Sequence, residues 1–138
     1  MRPISSYSTP LGRILLVDSI ASGAMGVLFL LDAAALESLL GLPASLLRGV
    51  GVLLIPFAGF LVWLAPRASA LRVVVRSIVG ANVLWVIASL LLLVSGRVNP
   101  TPVGTVFVVL QAAAVTVVAY LEYRAVGRVD SVPVTAGT

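Results

Sequence analysis

Four long apolar runs, separated by short polar segments, dominate the hydropathy pattern of the chain. The runs cover about residues 13–31, 47–65, 73–95 and 103–123. A bilayer core about 30 Å thick requires roughly 20 mostly apolar residues in a spanning helix, and each run is long enough. The pattern therefore predicts an all-α fold, an integral membrane four-helix bundle in which residues 1–138 form a single domain.

The segment between the first two runs has the pattern of a short helix at the membrane interface. Asp32 is a suitable N-cap for a helix over residues 33–40. Gly41 is a typical helix stop, and Pro43 suits the first position of the next helix. The alternative is that the first span continues, tilted, to residue 40.

Proline and threonine mark the remaining helix ends. Pro66 is expected to end the second span, and Thr101 and Pro102 supply an N-cap and a first helical position for the fourth. Residues 1–10 read as a polar tail, and the tail at 125–138 is expected to be frayed or disordered. A cleaved signal peptide is an alternative for the first run, but the length of that run and Asp18 within it favour a retained span.

Two short segments recur at nearly the same spacing. VDSI at 17–20 returns as VRSI at 75–78, and LVWLAPR at 61–67 aligns with VAYLEYR at 118–124. The spacings are 58 and 57 residues, and they predict a two-fold repeat of a two-helix unit. An even number of spans in each unit would relate the halves by a pseudo-twofold axis along the membrane normal.

The composition strengthens the membrane assignment and suggests an orientation. Hydrophobic residues make up 60% of the chain, charged residues only 10%, and the mean hydropathy is +1.17, whereas soluble domains contain about 25% charged residues. The basic residues are nine arginines, without lysine, which is typical of a bacterium with a GC-rich genome. Seven of them fall on one predicted side, and Arg48 and Arg97 on the other. The seven are Arg2, Arg13, Arg67, Arg72, Arg76, Arg124 and Arg128. The positive-inside bias then predicts that both termini are cytoplasmic, in a multi-pass protein of the bacterial cytoplasmic (inner) membrane.

The missing residue types exclude several kinds of chemistry. The sequence has no cysteine and no histidine, which removes disulfides, thiol redox chemistry, common zinc sites and imidazole catalysis. No nucleotide-binding, phosphate-loop or catalytic-triad pattern occurs. We therefore expect no enzyme activity, no cofactor, no metal and no nucleic-acid partner, and interpret the net charge of +4 as a topology signal.

Asp18 and Arg76 are the charged positions that the repeat brings into correspondence. Both are predicted to lie inside the cytoplasmic leaflet, where unpaired charges are unfavourable. The main interpretation is a structural salt bridge between the first and third spans. The alternatives are a protonatable or substrate-binding Asp18, and snorkelling of both groups to the interface. Similar predicted depths would let Arg13, Arg72 and Glu122 join the network.

Asn82, Gln111 and Pro56 are the other polar or helix-breaking candidates within the membrane. Asn82 and Gln111 are predicted near the midplane on adjacent spans, where interhelical hydrogen bonds hold helices together. Pro56 removes a helical hydrogen bond and is expected to bend the second span. The alternative is that the bend opens a midplane pocket for a lipid, quinone or other lipophile.

Four stretches carry a resemblance to known proteins. They are LLGLP at 39–43, LLRGVGVLLIPFAGFLVWLA at 46–65, ANVLWVIASLLLL at 81–93 and PTPVGTVFVVLQAAAV at 100–115. Together they resemble uncharacterised small four-span bacterial membrane proteins, and the layout is similar to that of DoxX-like proteins. The resemblance implies four spans and transfers no activity.

Two functions from different classes follow from the sequence. The first is a structural, accessory or self-assembling subunit whose partners are membrane lipid and other membrane helices, in a homo-oligomer or a larger complex. The second is a binding protein or transporter for a lipid, quinone or other lipophilic small molecule. Four spans with an acid in the first are also found in small multidrug exporters, although the arginine asymmetry differs from their dual topology.

Overall fold

The computed structural model describes residues 7–131, in which helices are joined by short turns and loops and no strand occurs. Its five α-helices are α1 (Pro10–Leu31), α2 (Ala33–Leu40), α3 (Ala44–Leu64), α4 (Arg72–Val94) and α5 (Pro102–Asp130), and a 3-10 turn (Ala65–Arg67) follows α3. All but α2 are long and apolar enough to cross a membrane. The predicted helical membrane fold is therefore confirmed, and so is the short helix over residues 33–40.

Local capping groups explain where several helices begin. Thr101 accepts a hydrogen bond from the Gly104 amide at 3.0 Å, with Pro102 in the first turn, as predicted. The same kind of N-cap begins α1, where the Thr9 hydroxyl accepts a hydrogen bond from the Gly12 amide at 3.1 Å. The first span therefore begins at Pro10, three residues before the predicted start.

The last helix is longer than the sequence pattern suggested. Residues 125–130 continue α5, so the prediction of a frayed tail from residue 125 is wrong for this part, while residues 132–138 lie outside the described residues. Ala125 and Val126 are buried in the bundle, which explains why the helix continues. At 1.5 Å per residue α5 is about 43 Å long, more than a bilayer core requires.

The bundle consists of two antiparallel hairpins, α1 with α3 and α4 with α5, and α1 also packs against α5. The start of α5 is joined to the end of α2, since the Thr101 amide donates to the Leu40 carbonyl at 2.9 Å. Two glycines make this junction possible. Gly41 has a φ of 70°, and a Cβ added to Gly104 would lie 1.9 Å from the Leu40 carbonyl oxygen.

Two apolar clusters fill opposite ends of the bundle. One joins the first half of α1, the end of α3, the start of α4 and the end of α5, with Leu15, Leu61 and Val75 wholly buried. The other surrounds α2 and includes Phe29, Leu47 and Val108. The four buried polar side chains of the described residues lie on α1, α4 and α5 at positions between these clusters.

Most of each long helix faces away from the bundle. Only 17% of the most apolar 18-residue window of α4 is buried, against 28% in α1 and α3. The exposed side chains are largely Val, Leu and Ile. Such surfaces are suited to lipid or to other membrane helices, so the chain has the structure of a multi-pass membrane protein.

Candidate functional site

The centre of the bundle holds a group of buried polar side chains. Asp18 on α1 and Asn82 on α4 are each 6% exposed, and Glu122 on α5 is 0% exposed. We refer to these three residues as the acid–amide cluster. It brings two of the five acidic residues of the chain into the apolar interior.

The Asn82 side chain connects the two acids. Its Nδ2 donates to Asp18 Oδ2 at 3.2 Å and to Glu122 Oε2 at 3.1 Å. An amide nitrogen carries two hydrogens, so one group can serve both acceptors. Asn82 therefore connects three helices, α1, α4 and α5, through a single nitrogen atom.

Two serines of α1 extend the polar region. Ser22 Oγ donates to the second Asp18 oxygen, Oδ1, at 3.2 Å. Ser19 Oγ donates to the Ala58 carbonyl at 2.9 Å and links α1 to α3. Both Asp18 oxygens therefore have a donor.

Glu122 is less well satisfied. Its Oε1 is buried and has no hydrogen-bond partner among the residues that the structure describes. Glu122 also interacts directly with the neighbouring acid Asp18. Two buried carboxyl groups in contact repel each other strongly if both are ionised, whereas a single proton held between them lets one group donate to the other.

The predicted pairing of Asp18 with Arg76 is wrong. Asp18 is bonded to Ser22 and Asn82, whereas Arg76 is exposed on α4. Six residues separate Arg76 from Asn82, which places Arg76 about 9 Å away along the axis and about 120° around the helix. The repeat aligns residues 18 and 76 in sequence, but the packing of α1 and α4 brings Asn82 to Asp18 instead. Arg13 and Arg72 are also exposed, and neither donates to Asp18 in the part of the chain described.

Gln111 and Asn82 both form interhelical hydrogen bonds, but with different partners. Trp85 Nε1 on α4 donates to Gln111 Oε1 on α5 at 2.9 Å. This bond and the Asn82–Glu122 bond hold α4 to α5 at two levels. The two residues therefore act between helices as expected, although they do not meet near the midplane.

Pro56 is exposed on the surface of α3, which continues as a helix on both sides of it. The two best cavities in the described residues are not lined by Pro56. Neither cavity is lined by Asn82 or Gln111, so these two cavities give no support to the prediction that Pro56 opens space beside them.

A groove of about 380 Å³ lies between α4 and α5. Its lining is mainly apolar, with three hydroxyl-bearing residues. The lining residues are Val79, Val83, Val86, Ile87, Thr116, Ala119, Tyr120 and Tyr123. We call it the α4–α5 groove, and it is open to the outside of the bundle, because Thr116, Tyr120 and Tyr123 are exposed.

The groove and the acid–amide cluster are neighbours. Helical side chains lean toward the N-terminus, so the Glu122 carboxyl is expected over the turn that holds Ala119, and the Asn82 amide over the turn that holds Val79. Ala119 and Val79 both line the groove. Two cluster residues are therefore within one helical turn of groove-lining residues, although none of the three lines the groove itself.

The sequence suggested Glu122 only as a further member of the polar network around Asp18 and Arg76. The fourth span was predicted to end at residue 123, which put Glu122 at the membrane surface. Because α5 continues to Asp130, Glu122 lies about two turns inside the helix, which corresponds to about 12 Å. The helix continues past Tyr123 because Ala125 and Val126 are buried in the bundle, and the local sequence gives no strong signal of this.

Comparisons with known proteins identify no relatives. No protein-family model matches the chain, and no curated protein and no solved structure matches it either.

Proposed function

We propose that the protein binds or transports a lipophilic small molecule, such as a lipid or quinone, at the α4–α5 groove. The observation that carries the proposal is that Val79 and Ala119, which line this apolar groove, lie one turn from Asn82 and Glu122 of the buried acid–amide cluster. Ionisable residues within membrane spans are rare, and they commonly mark substrate or ion pathways. The proposal concerns binding and not catalysis, because the sequence offers no cysteine, histidine or lysine.

The arrangement of the acids favours binding over a purely structural role. A structural salt bridge would have neutralised Asp18, but its donors are the Ser22 hydroxyl and the Asn82 amide. Neither donor supplies a positive charge. Apolar residues would hold α1, α4 and α5 together without the desolvation that two buried acids require.

A second candidate is the structural, accessory or self-assembling subunit. The observation in its favour is the small buried share of α4, 17% of its most apolar window. In this proposal the outer face of α4 contacts another membrane helix, in a homo-oligomer or a larger complex. If the protein is instead a binding protein, lipid alone covers this outer face of α4.

Native mass spectrometry after purification in a gentle detergent distinguishes the two candidates. The binding protein should retain a small molecule, and Thr116→Phe should remove it because the new ring fills the groove. Thr105→Phe is the matched control, since Thr105 is exposed on the same helix and does not line the groove. Equal retention by both variants would contradict the groove as the site. A bound protein or a discrete oligomer without a small molecule would favour the subunit.

We further propose that both termini face the cytoplasm, that the membrane is the bacterial inner membrane, and that the hairpins arose by duplication. Support for the orientation comes from the arginine distribution, seven against two, and support for the duplication from VDSI and VRSI. Cysteines introduced at Ser5, outside the described residues, and at Ser131 should resist an impermeant thiol reagent in intact cells. A cysteine at Ser38 should react, and labelling of the termini would overturn the orientation.

A further inference from the structure

We propose that a cleft at one end of the bundle binds the phosphate headgroup of an anionic phospholipid. At this end the start of α1, the turn between α3 and α4, the start of α4 and the end of α5 meet around one apolar cluster. The cleft has a volume of about 270 Å³, and its lining includes Thr9, Pro10 and Leu11 at the start of α1, Ser69 of the turn and Arg128 of α5. It shares no residue with the α4–α5 groove, so the inference goes beyond the proposed function.

Charge is distributed unevenly between the two ends of the bundle. Apart from the buried acid–amide cluster, the end that holds the cleft has one acid among the described residues, Asp130, and six arginines. The arginines are Arg13, Arg67, Arg72, Arg76, Arg124 and Arg128. At the opposite end, Arg48 and Arg97 are balanced by Asp32 and Glu37. We call the first end the arginine-rich end, and its charge attracts anions.

The lining of the cleft offers groups that bind phosphate. Arg128 is exposed, and its planar guanidinium can form paired hydrogen bonds with phosphate oxygens. Thr9 and Ser69 add hydroxyl groups, which can donate to the same oxygens. The first turn of α1, which forms another wall, contains no acidic residue, and the dipole of the helix favours an anion there. The cleft therefore suits a small anionic group.

The depth of the cleft favours a lipid over a soluble anion. At about 43 Å, α5 matches the thickness of a bilayer with its headgroups, about 40–45 Å. The arginine-rich end also has two exposed aromatic rings that lie against guanidinium groups, Trp63 with Arg67 at 4.5 Å and Tyr120 with Arg124 at 5.7 Å. Such rings are enriched at the membrane interface. Arg128 follows Tyr120 by two turns, and its side chain leans back by about one turn, which places it in the headgroup layer.

The outer surfaces of the helices that form the cleft suit acyl chains. The exposed apolar side chains of α1 include Val17 and Ile20, and those of α5 include Val117 and Leu121. A lipid with its headgroup in the cleft can place its acyl chains along such surfaces, whereas a free phosphate gains nothing from them. Basic pockets between membrane helices recognise anionic headgroups in this way. The occupant that fits both the charge and the surroundings is therefore an anionic phospholipid.

Native mass spectrometry of the full chain in a gentle detergent measures the binding. The probes are dioleoyl phosphatidylglycerol and dioleoyl phosphatidylcholine, which have the same acyl chains and differ in the net charge of the headgroup. The ratio of their bound fractions therefore reports recognition of the headgroup. The main variant is Arg128→Gln. Arg124→Gln is the matched control, because Arg124 is exposed one turn earlier on the same helix and does not line the cleft.

We expect Arg128→Gln to lower the ratio of phosphatidylglycerol to phosphatidylcholine binding about fivefold, and Arg124→Gln to lower it less than about twofold. Ser69→Phe keeps the charge but fills the cleft, so it should also lower the ratio. Ala70→Phe, at an exposed position of the same turn outside the cleft, should leave the ratio unchanged. Equal losses in the two arginine variants would show a diffuse attraction by the arginine-rich end and would overturn the cleft as the site.

Two further measurements separate this site from the alternatives. If inorganic phosphate raises the thermal unfolding temperature as much as phosphatidylglycerol does, and Arg128→Gln removes both effects, the cleft binds a soluble anion and the lipid assignment is wrong. Thr116→Phe fills the α4–α5 groove and should leave the lipid ratio unchanged. A loss of the ratio in Thr116→Phe but not in Arg128→Gln would place the lipid in the α4–α5 groove, which would support the proposed function and overturn this inference.

Discussion

The two hairpins of the bundle are closed in different ways. In the α1–α3 hairpin, a Cβ added to Gly51 would lie 2.9 Å from the Gly26 carbonyl oxygen, so the backbones are in close contact. In the α4–α5 hairpin, a groove separates part of the two helices. Small residues and one bond from a side chain to the backbone, Ser19 to Ala58, pack the first hairpin, whereas bonds between side chains, from Asn82 and Trp85, hold the second.

This difference assigns separate roles to the hairpins. Close packing of small residues is insensitive to polar ligands and makes a rigid unit. Hydrogen bonds between polar side chains can be exchanged for bonds to a ligand. The α4–α5 hairpin is therefore the part of the bundle that we expect to respond to binding.

The largest effect is expected from removing the donor shared by the two acids. Asn82→Leu leaves Asp18 and Glu122 without the amide, and we expect a loss of about 2–5 kcal/mol in the free energy of unfolding. Chemical denaturation in detergent micelles measures it. Leu84→Ala, at an exposed position on the same helix, should change stability by less than about 0.5 kcal/mol. Similar losses in both variants would argue against a buried cluster.

Glycine substitutions test the close contact between α1 and α3. Gly51→Ala places a methyl group against the α1 backbone and should lower stability by about 1–3 kcal/mol. The control variants Gly49→Ala and Gly80→Ala meet nothing within 4 Å and should be neutral or stabilising by up to about 1 kcal/mol. Thermal unfolding of the three variants checks this order, and equal losses at Gly51 and Gly49 would show that the α1 and α3 backbones are not in close contact.

A smaller effect is expected at the second polar link of the α4–α5 hairpin. Gln111→Leu removes the acceptor of the Trp85 indole and should lower stability by about 0.6–1.7 kcal/mol, as for other interhelical hydrogen bonds in membranes. The tryptophan fluorescence should shift with it. In a Trp85→Phe background the same substitution should cause no further loss, and a full loss there would show that Gln111 acts through other contacts.

The smallest coupling is expected between Asp18 and Arg76. Because Asp18 accepts its hydrogen bonds from Ser22 and Asn82, the effects of Asp18→Ala and Arg76→Ala on unfolding should add to within about 0.5 kcal/mol. The double variant provides the measurement. A double variant more stable than the sum of the singles would restore the salt bridge that the repeat predicted.

Local features of the fold were predictable because they depend on neighbouring residues. The short helix before Gly41 and the Thr101 cap with Pro102 follow from chemistry within one turn of the chain. The four spans follow from hydropathy alone. These elements required no knowledge of how the helices pack.

Predicting the candidate site would have required knowledge of how the helices pack. Asp18 and Asn82 were recognised as intramembrane polar residues, but their pairing depends on how α1 and α4 are rotated about their axes. The internal repeat pointed to Arg76, which precedes the observed partner Asn82 by six residues, or nearly two helical turns. Glu122 was misplaced because burial of Ala125 and Val126, which keeps the end of α5 helical, is a tertiary effect.

A double-mutant cycle on Asn82 and Glu122 tests most directly whether the two residues form one buried cluster. Asn82→Leu leaves the Glu122 carboxyl without a donor, and adding Glu122→Leu removes that buried group. The double variant should therefore be more stable than Asn82→Leu alone, by about 1 kcal/mol or more in unfolding free energy. If the two losses simply add, Asn82 and Glu122 do not interact, and the acid–amide cluster is not present as described.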